Sequence, residues 1–322
     1  MVDLTQLNPR QREAAKYVDG PLLVLAGAGS GKTSVITRKI AYLIDACGIK
    51  PHHIAAVTFT NKAAREMKER VAALTGKGGA RGLTVSTFHN LGLNIIRQEL
   101  ATAGYKAGFS ILDQDDCRGI IRDVMQREHG DDGDMVELVQ NTISNLKNDL
   151  ITPADAIHQA QSQQEMLIAQ TYSIYQRMLK AYNAVDFDDL IMVPTLLFRD
   201  FPDVLVRWQK KIRYLLVDEY QDTNTSQYEM VKLLVGHRTG LTVVGDDDQS
   251  IYAWRGARPE NLSLLKQDFP TLKIVKLEQN YRSTGLILNA ANRVIDNNPH
   301  EFQKRLWSDM GYGDPIRILK CR

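Results

Sequence analysis

The stretch Leu22-Leu23-Val24-Leu25-Ala26-Gly27-Ala28-Gly29-Ser30-Gly31-Lys32-Thr33 decides the fold. An apolar run with no polar break reads as a strand buried on both faces. A glycine-rich loop follows, and residues 32–46 carry a helical pattern. The loop fits G-x-x-x-x-G-K-S/T, with Ala26 standing where the first glycine would be. Gly27, Gly29 and Gly31 let the backbone curl so that successive N–H groups of Ala26, Gly27, Ala28, Gly29, Ser30 and Gly31 face phosphate oxygens. The helix that follows adds its positive N-terminal end. Lys32 is expected to reach the β- and γ-phosphates, and the Thr33 hydroxyl to hold Mg²⁺. A chance glycine-rich turn would not show strand, loop and helix in this order. A dinucleotide fold is excluded, because Lys32 occupies the third glycine position of G-x-G-x-x-G.

Outward from the loop, short apolar runs at 54–59, 83–86, 214–217, 241–244 and 274–277 also read as strands. Helical patterns at 61–74 and 90–103 follow the first two of these. Strand-then-helix alternation predicts right-handed crossovers and a parallel sheet. From about 105 to 185 the pattern is helical instead, for example over 115–127, 135–148 and 164–182. The expected fold class is therefore α/β, with an α-helical insertion inside one α/β domain. The expected division is a discontinuous domain over 1–104 and 185–276, an insertion over 105–184, and the start of another segment over 277–322.

The run Tyr214-Leu215-Leu216-Val217-Asp218-Glu219 is an apolar strand ending in two carboxylates. Acids at a strand end are common on their own. Beside a phosphate loop they acquire roles: Asp218 to hold Mg²⁺ through its water shell, and Glu219 to orient or deprotonate an attacking water.

Bulk properties set limits. The chain has 322 residues, 43% hydrophobic and 24% charged, an ordinary globular balance with room for a sizeable core. A formal net charge of +2 neither demands nor excludes a nucleic-acid partner. Cys47, Cys117 and Cys321 lie far apart, fit neither a disulfide framework nor a zinc site, and suit a reducing, cytoplasmic setting. No apolar stretch reaches the ~18 residues of a membrane span, and the N-terminus has no signal-peptide pattern. His52-His53 lacks a ligand-spaced partner and reads as surface. Asp131-Asp132-Gly133-Asp134 reads as a solvated turn, and Asp186–Asp189 as a helix start.

Several motifs then become specific. Asp218-Glu219-Tyr220-Gln221-Asp222 and Gly245-Asp246-Asp247-Asp248-Gln249-Ser250-Ile251-Tyr252-Ala253-Trp254-Arg255-Gly256 resemble the Rep/UvrD family of superfamily 1 DNA helicases. So do Leu7-Asn8-Pro9-Arg10-Gln11, Val57-Thr58-Phe59-Thr60-Asn61-Lys62, Ser86-Thr87-Phe88-His89 and Gln279-Asn280-Tyr281-Arg282-Ser283, in family order along nearly the whole chain. The resemblance implies a RecA-like P-loop NTPase fold that uses ATP and Mg²⁺. It implies that Gln11 reads the adenine edge, Tyr281 stacks on the ring and Arg282 touches the γ-phosphate. Gln249 would sit between the γ-phosphate and DNA, and Phe59, His89, Tyr252, Trp254 and Arg255 would line a single-stranded DNA path. The bottom-up chemistry agrees: aromatics stack on bases regardless of sequence, and Thr58, Thr60, Asn61 and Lys62 can donate to phosphates past a strand end. For an isolated aromatic, core packing is the commoner reading, and Phe59 ends an apolar strand. Trp254 stands in a polar, loop-like setting.

Two features depart from the family. Ser34, in the nucleotide pocket, replaces the usual Arg, with Arg38 one turn further on. Family members also continue for several hundred residues past this point. The resemblance therefore implies that 1–322 alone hydrolyses ATP poorly and does not unwind duplex. The implied activity is ATP-driven 3′ to 5′ movement on single-stranded DNA, with unwinding in replication or repair. Implied partners are single-stranded DNA and single-strand/duplex junctions, with replication or repair proteins and self-association as further partners to test, and no membrane. The alternatives are a P-loop phosphotransferase and a truncated, non-catalytic ATP- and DNA-binding module.

Overall fold

The computed structural model describes residues 2–76, 78–129, 133–253, 256–298 and 302–319. The strands are Leu22–Ala26 (β1), Ile54–Thr58 (β2), Thr84–Thr87 (β3), Ser110–Ile111 (β4), Ala184–Val185 (β5), Tyr214–Val217 (β6), Leu241–Gly245 (β7) and Lys273–Leu277 (β8). Six of them form one sheet in the order β3-β2-β6-β7-β1-β8, and β4 pairs only with β5. Every pairing is parallel. This is the α/β fold with a parallel sheet that the unbroken apolar runs predict. The four inner strands β2, β6, β7 and β1 are buried at every position. The outer strands β3 and β8 are only part-buried, as one uncovered flank allows.

Among the described residues, one compact unit takes those within 1–87, 210–223 and 235–322, and a second takes those within 88–209 and 224–234. The six-stranded sheet belongs to the first. There, Pro9–Lys16 (α1) starts from a capping box: the Asn8 side chain accepts the Gln11 N–H, and the Gln11 side chain accepts the Asn8 N–H. Lys32–Asp45 (α2) leaves the phosphate loop and buries Val35, Ile36, Ile40 and Leu43 on one face. Asn61–Thr75 (α3) is capped by the Thr60 hydroxyl. Val24, Ile36, Ile40, Ala56 and Leu216 share one apolar cluster. Each large aliphatic buried there contributes roughly 1.5–3 kcal/mol.

The second unit is largely helical. Residues 90–103 do not form one helix. Phe88–Gln98 ends and Leu100–Ala103 begins at Glu99, whose carboxylate accepts the Trp208 indole N–H at 3.0 Å and an Arg207 N–H at 2.6 Å. Gln114–His129, Gly133–Asn148 and Gln163–Ala181 follow the helical patterns read from the sequence. Ile121, Val139, Tyr172 and Tyr175 pack in their core. Asp186 Oδ1 accepts the Asp189 N–H at 2.8 Å, starting the helix Asp189–Asp200. The fully buried Lys147 lies 2.6 Å from Asp186 and 2.9 Å from Asp189. Burial opposes the Lys147 charge, yet the two carboxylates hold its pKa well above the usual lysine value. No helix among the described residues is long and apolar enough to cross a membrane.

Candidate nucleotide site

A parallel sheet brings the carboxyl ends of all its strands to one edge. At that edge the first unit gathers the loop after β1, the acids after β6, the Asp-Gln turn after β7 and the segment after β8.

The loop is held by its own bonds and by its neighbours. Gly27 N–H donates to the Leu277 carbonyl at 3.3 Å, and Ser30 Oγ donates to the Gly27 carbonyl at 2.7 Å. Gly29 and Gly31 take left-handed conformations, φ +69° and +84°. A Cβ at Gly29 would stand 2.6 Å from Asn280 Nδ2, and one at Gly31 2.7 Å from Gln11 Nε2. Glycine is needed twice over, for the curl and for the close approach.

Lys32 leads α2. Its ammonium donates to both Glu219 carboxylate oxygens, at 2.8 and 3.0 Å, and to Gln249 Oε1 at 3.3 Å. Glu219 also accepts from Gln221 Nε2 at 2.9 Å. Its backbone is left-handed, φ 50° and ψ 46°, an uncommon posture for a side-chain-bearing residue. Asp218, next to it, is 8% exposed, and its carboxylate accepts the Glu219 N–H at 2.9 Å. Burial, then the Glu219 charge, pushes the Asp218 pKa up to about 6, against lowering by Lys32. Asp222 rises to about 6 for the same two reasons.

The segment after β8 is pinned to the loop. Buried Asn280 donates to the Ala28 carbonyl at 2.5 Å, and its side-chain oxygen accepts the N–H groups of Arg282 and Ser283 at 2.8 and 2.7 Å. Tyr281 N–H donates to the Gly29 carbonyl at 3.0 Å, and its hydroxyl accepts from Asn8 Nδ2 at 2.8 Å. Gln11 Nε2 donates to the Ser30 carbonyl at 2.9 Å. An open groove is lined by residues 28–34 together with Arg70, Glu219, Gln249, Tyr281 and Arg282. Thr33 and Ser34 are among them, and Arg38 Nη1 donates to the Ser34 hydroxyl. Arg38 therefore reaches the position where the family's usual Arg is absent.

Arg70, Asn280, Gln221, Asp246 and Lys304 carried no assigned role at the sequence level. Asn280 and Gln221 lie inside quoted motifs, so proximity to Tyr281 and Glu219 was the available signal. Arg70 sits in a charged helical stretch that gives no local sign of facing a groove.

The expected DNA residues are placed unevenly. Phe59, partly buried, and exposed Thr60 and Asn61 follow β2 in the first unit. Thr58 is 1% exposed and its hydroxyl donates to the Thr60 carbonyl, while the Thr60 hydroxyl caps α3. Tyr252 is 39% exposed. His89 belongs to the second unit, edge-on to Phe187 with ring centroids 5.9 Å apart, and burial lowers its pKa. Trp254 and Arg255 lie outside the described residues, as do Asp131 and Asp132.

Glycine-rich loop, lysine, paired acids and groove at one edge of a parallel sheet define a P-loop nucleotide-binding domain of RecA-like fold. The family model described as UvrD/REP helicase N-terminal domain matches residues 7–270, and the UvrD-like helicase C-terminal domain model matches 275–322. The chain belongs to the UvrD/REP helicase family. It is 60% identical to ATP-dependent DNA helicase Rep of Escherichia coli, over 98% of this chain and 47% of that protein. It is 49% identical to the Rep of Buchnera aphidicola subsp. Schizaphis graminum, over 97% and 48%. It is 48% identical to ATP-dependent DNA helicase PcrA of Staphylococcus aureus, over 99% and 44%. The chain thus spans about half the length of the curated relatives it matches.

Proposed function

We propose that this chain is the ATP-binding half of a 3′ to 5′ DNA helicase, which hydrolyses ATP with Mg²⁺ to move along single-stranded DNA and open duplex. The observation that carries the reading is the Lys32–Glu219 pair beside Gln249 at the head of the phosphate groove. An incoming γ-phosphate competes with Glu219 for Lys32. Once Lys32 turns to phosphate, Glu219 is released to orient water. The same exchange uncouples Gln249 from Lys32, so the state of the nucleotide reaches the turn that carries Tyr252. Names of the relatives support nucleotide use and DNA as partner.

Thr33 and Asp218 would hold Mg²⁺. The fit rests on Asp218, a buried carboxylate whose pKa is raised by burial and by Glu219, an environment in which a divalent cation is favoured. Held by these two residues, the ion would offset the negative charge of the bound phosphates. Tyr281 offers a half-exposed ring and Arg282 a guanidinium to the nucleotide, whereas Gln11, buried and outside the groove lining, would have to exchange its bonds to Ser30 and Asn8 to read the adenine edge. For DNA, the proposal assigns stacking to Phe59, His89, Tyr252 and Trp254 and phosphate contact to Asn61 and Arg255, with Thr58 and Thr60 shaping the turn. It retains the division into 1–104 with 185–276, 105–184 and 277–322, single-strand/duplex junctions as substrate, and a cytoplasmic location.

ATP turnover measured with and without single-stranded DNA tests the reading. Strong stimulation by DNA is expected. Turnover indifferent to DNA would favour a phosphotransferase, and no turnover in either condition a non-catalytic binding module.

A further inference from the structure

Asp246, Asp247 and Asp248 follow β7 in direct succession, and three adjacent carboxylates repel one another. Lys304 answers all three. Its ammonium lies 2.6 Å from Asp246 Oδ1, 2.6 Å from Asp247 Oδ1 and 2.5 Å from Asp248 Oδ2, on a side chain 5% exposed. The three carboxylates have the spacing of a cation site, and the lysine nitrogen stands at hydrogen-bond distance from each of them. Burial acts against its charge, but Asp246 and the hydrogen bonds to the aspartates carry its pKa well above that of a free lysine.

Asp246 is also part of a closed ring. Its Oδ2 accepts from Gln249 Nε2, and its N–H donates to Gln221 Oε1 at 3.0 Å. Gln221 Nε2 donates to Glu219, Glu219 accepts from Lys32, and Lys32 donates to Gln249 Oε1. With its nitrogen committed to Asp246, the Gln249 amide has one orientation left, oxygen toward Lys32 and the groove. A displaced Asp246 would remove that constraint.

We propose that Lys304 is a positioning residue for Gln249: by pairing with Asp246 and fixing its carboxylate in place, it holds the Gln249 amide in the orientation that meets Lys32 at the phosphate groove. This rests on the reading of the groove as a site of ATP hydrolysis. The proposal gives a segment near residue 304, far along the chain from the loop, a direct hold on the hydrolytic machinery.

The test is DNA-stimulated ATP turnover of the full-length protein. Lys304→Met is expected to lower kcat about tenfold with KM for ATP within about twofold, the signature of an orienting role. Lys304→Arg is expected to restore kcat to within about threefold, since it keeps the charge. In a Gln249→Ala background the Lys304→Met change is expected to alter kcat less than about twofold, because two residues acting through one contact are not additive. A full tenfold fall in that background, an unchanged kcat, or a rise in KM alone would overturn the proposal. Should Lys304→Met fail to fold, Asp246→Asn carries the test. It interrupts the same chain of contacts and is expected to give the same loss of kcat, and full activity would overturn the proposal. Wild-type protein with no ATP turnover would remove the functional reading and this inference together. Wild-type turnover with an inert Lys304→Met would remove this inference alone.

Discussion

Lys32 and Lys147 each hold carboxylate oxygens at hydrogen-bond distance, and they differ in everything around the pair. The Lys32 side chain is 13% exposed and Glu219 36%, at the rim of an open groove. Lys147 is 0% exposed, with Asp186 and Asp189 at 10% and 1%. Around Lys147 the acceptors are shared out: the Tyr175 hydroxyl donates to Asp186 at 2.8 Å, and Gln176 Nε2 donates to Asp189 at 3.2 Å. Nothing there invites exchange. At Lys32, by contrast, an incoming anion can replace Glu219 without burying anything new. A lysine–carboxylate pair is a working part where one partner is replaceable, and a structural one where every acceptor is already engaged.

The largest expected effect is on the structural side. Lys147→Met strands two largely buried carboxylates and should cost about 3–5 kcal/mol of stability, read by chemical denaturation. Adding Asp186→Asn and Asp189→Asn should recover most of that loss. A single change costing under about 1 kcal/mol would break the comparison. Lys32→Ala should do the reverse: turnover falls by about 10²–10³-fold, while the unfolding free energy moves by under about 1 kcal/mol. Steady-state kinetics and denaturation on the same preparation check both halves, and a collapse in stability would place Lys32 with Lys147.

A smaller effect sharpens the electrostatic side. The Asp218 pKa stands at about 6 against an ordinary 3.8. The folded form therefore binds more protons between those values, and stability falls as pH climbs through that window. Asp218→Asn, free of this cost, should be more stable than the wild type by roughly 1–3 kcal/mol above the window, with the gain gone below it. Denaturation at a series of pH values reads the difference, and an equal gain at low pH would reject burial of charge as its cause. Smallest of all, Arg10→Ala breaks an ion pair 70% exposed on its arginine side and should shift stability by no more than about 0.5 kcal/mol.

The sheet was legible because its inner strands are buried on both faces and so carry no charged residue, with Thr58 and Thr242 the small buried polar exceptions in β2 and β7. β1 and β6 fall at 22–26 and 214–217 in both sequence reading and structure. The helix expected over 90–103 failed at Glu99, where tertiary bonds from Arg207 and Trp208 win over local propensity. Asp186–Asp189 was legible as a helix start, and Asp186 accepts the Asp189 N–H where the helix begins, but its buried partner Lys147 was not legible. The loop, Asp218 and Glu219 could be named because their chemistry is written in contiguous residues. Lys304 could not, for its three partners lie more than fifty positions away and its own neighbours give no sign of them. The pinning of the loop by Asn280 escaped for the same reason.

The backbone of Glu219 is left-handed, a posture that costs a side-chain-bearing residue about 1–2 kcal/mol and a glycine almost nothing. Two selections on this gene would therefore pull position 219 apart. A library of variants sorted only for resistance to heat would drift toward glycine there, and one sorted for turnover would keep the glutamate. On the role proposed for Glu219, residue 219 is a point where selection for durability and selection for work have opposite signs.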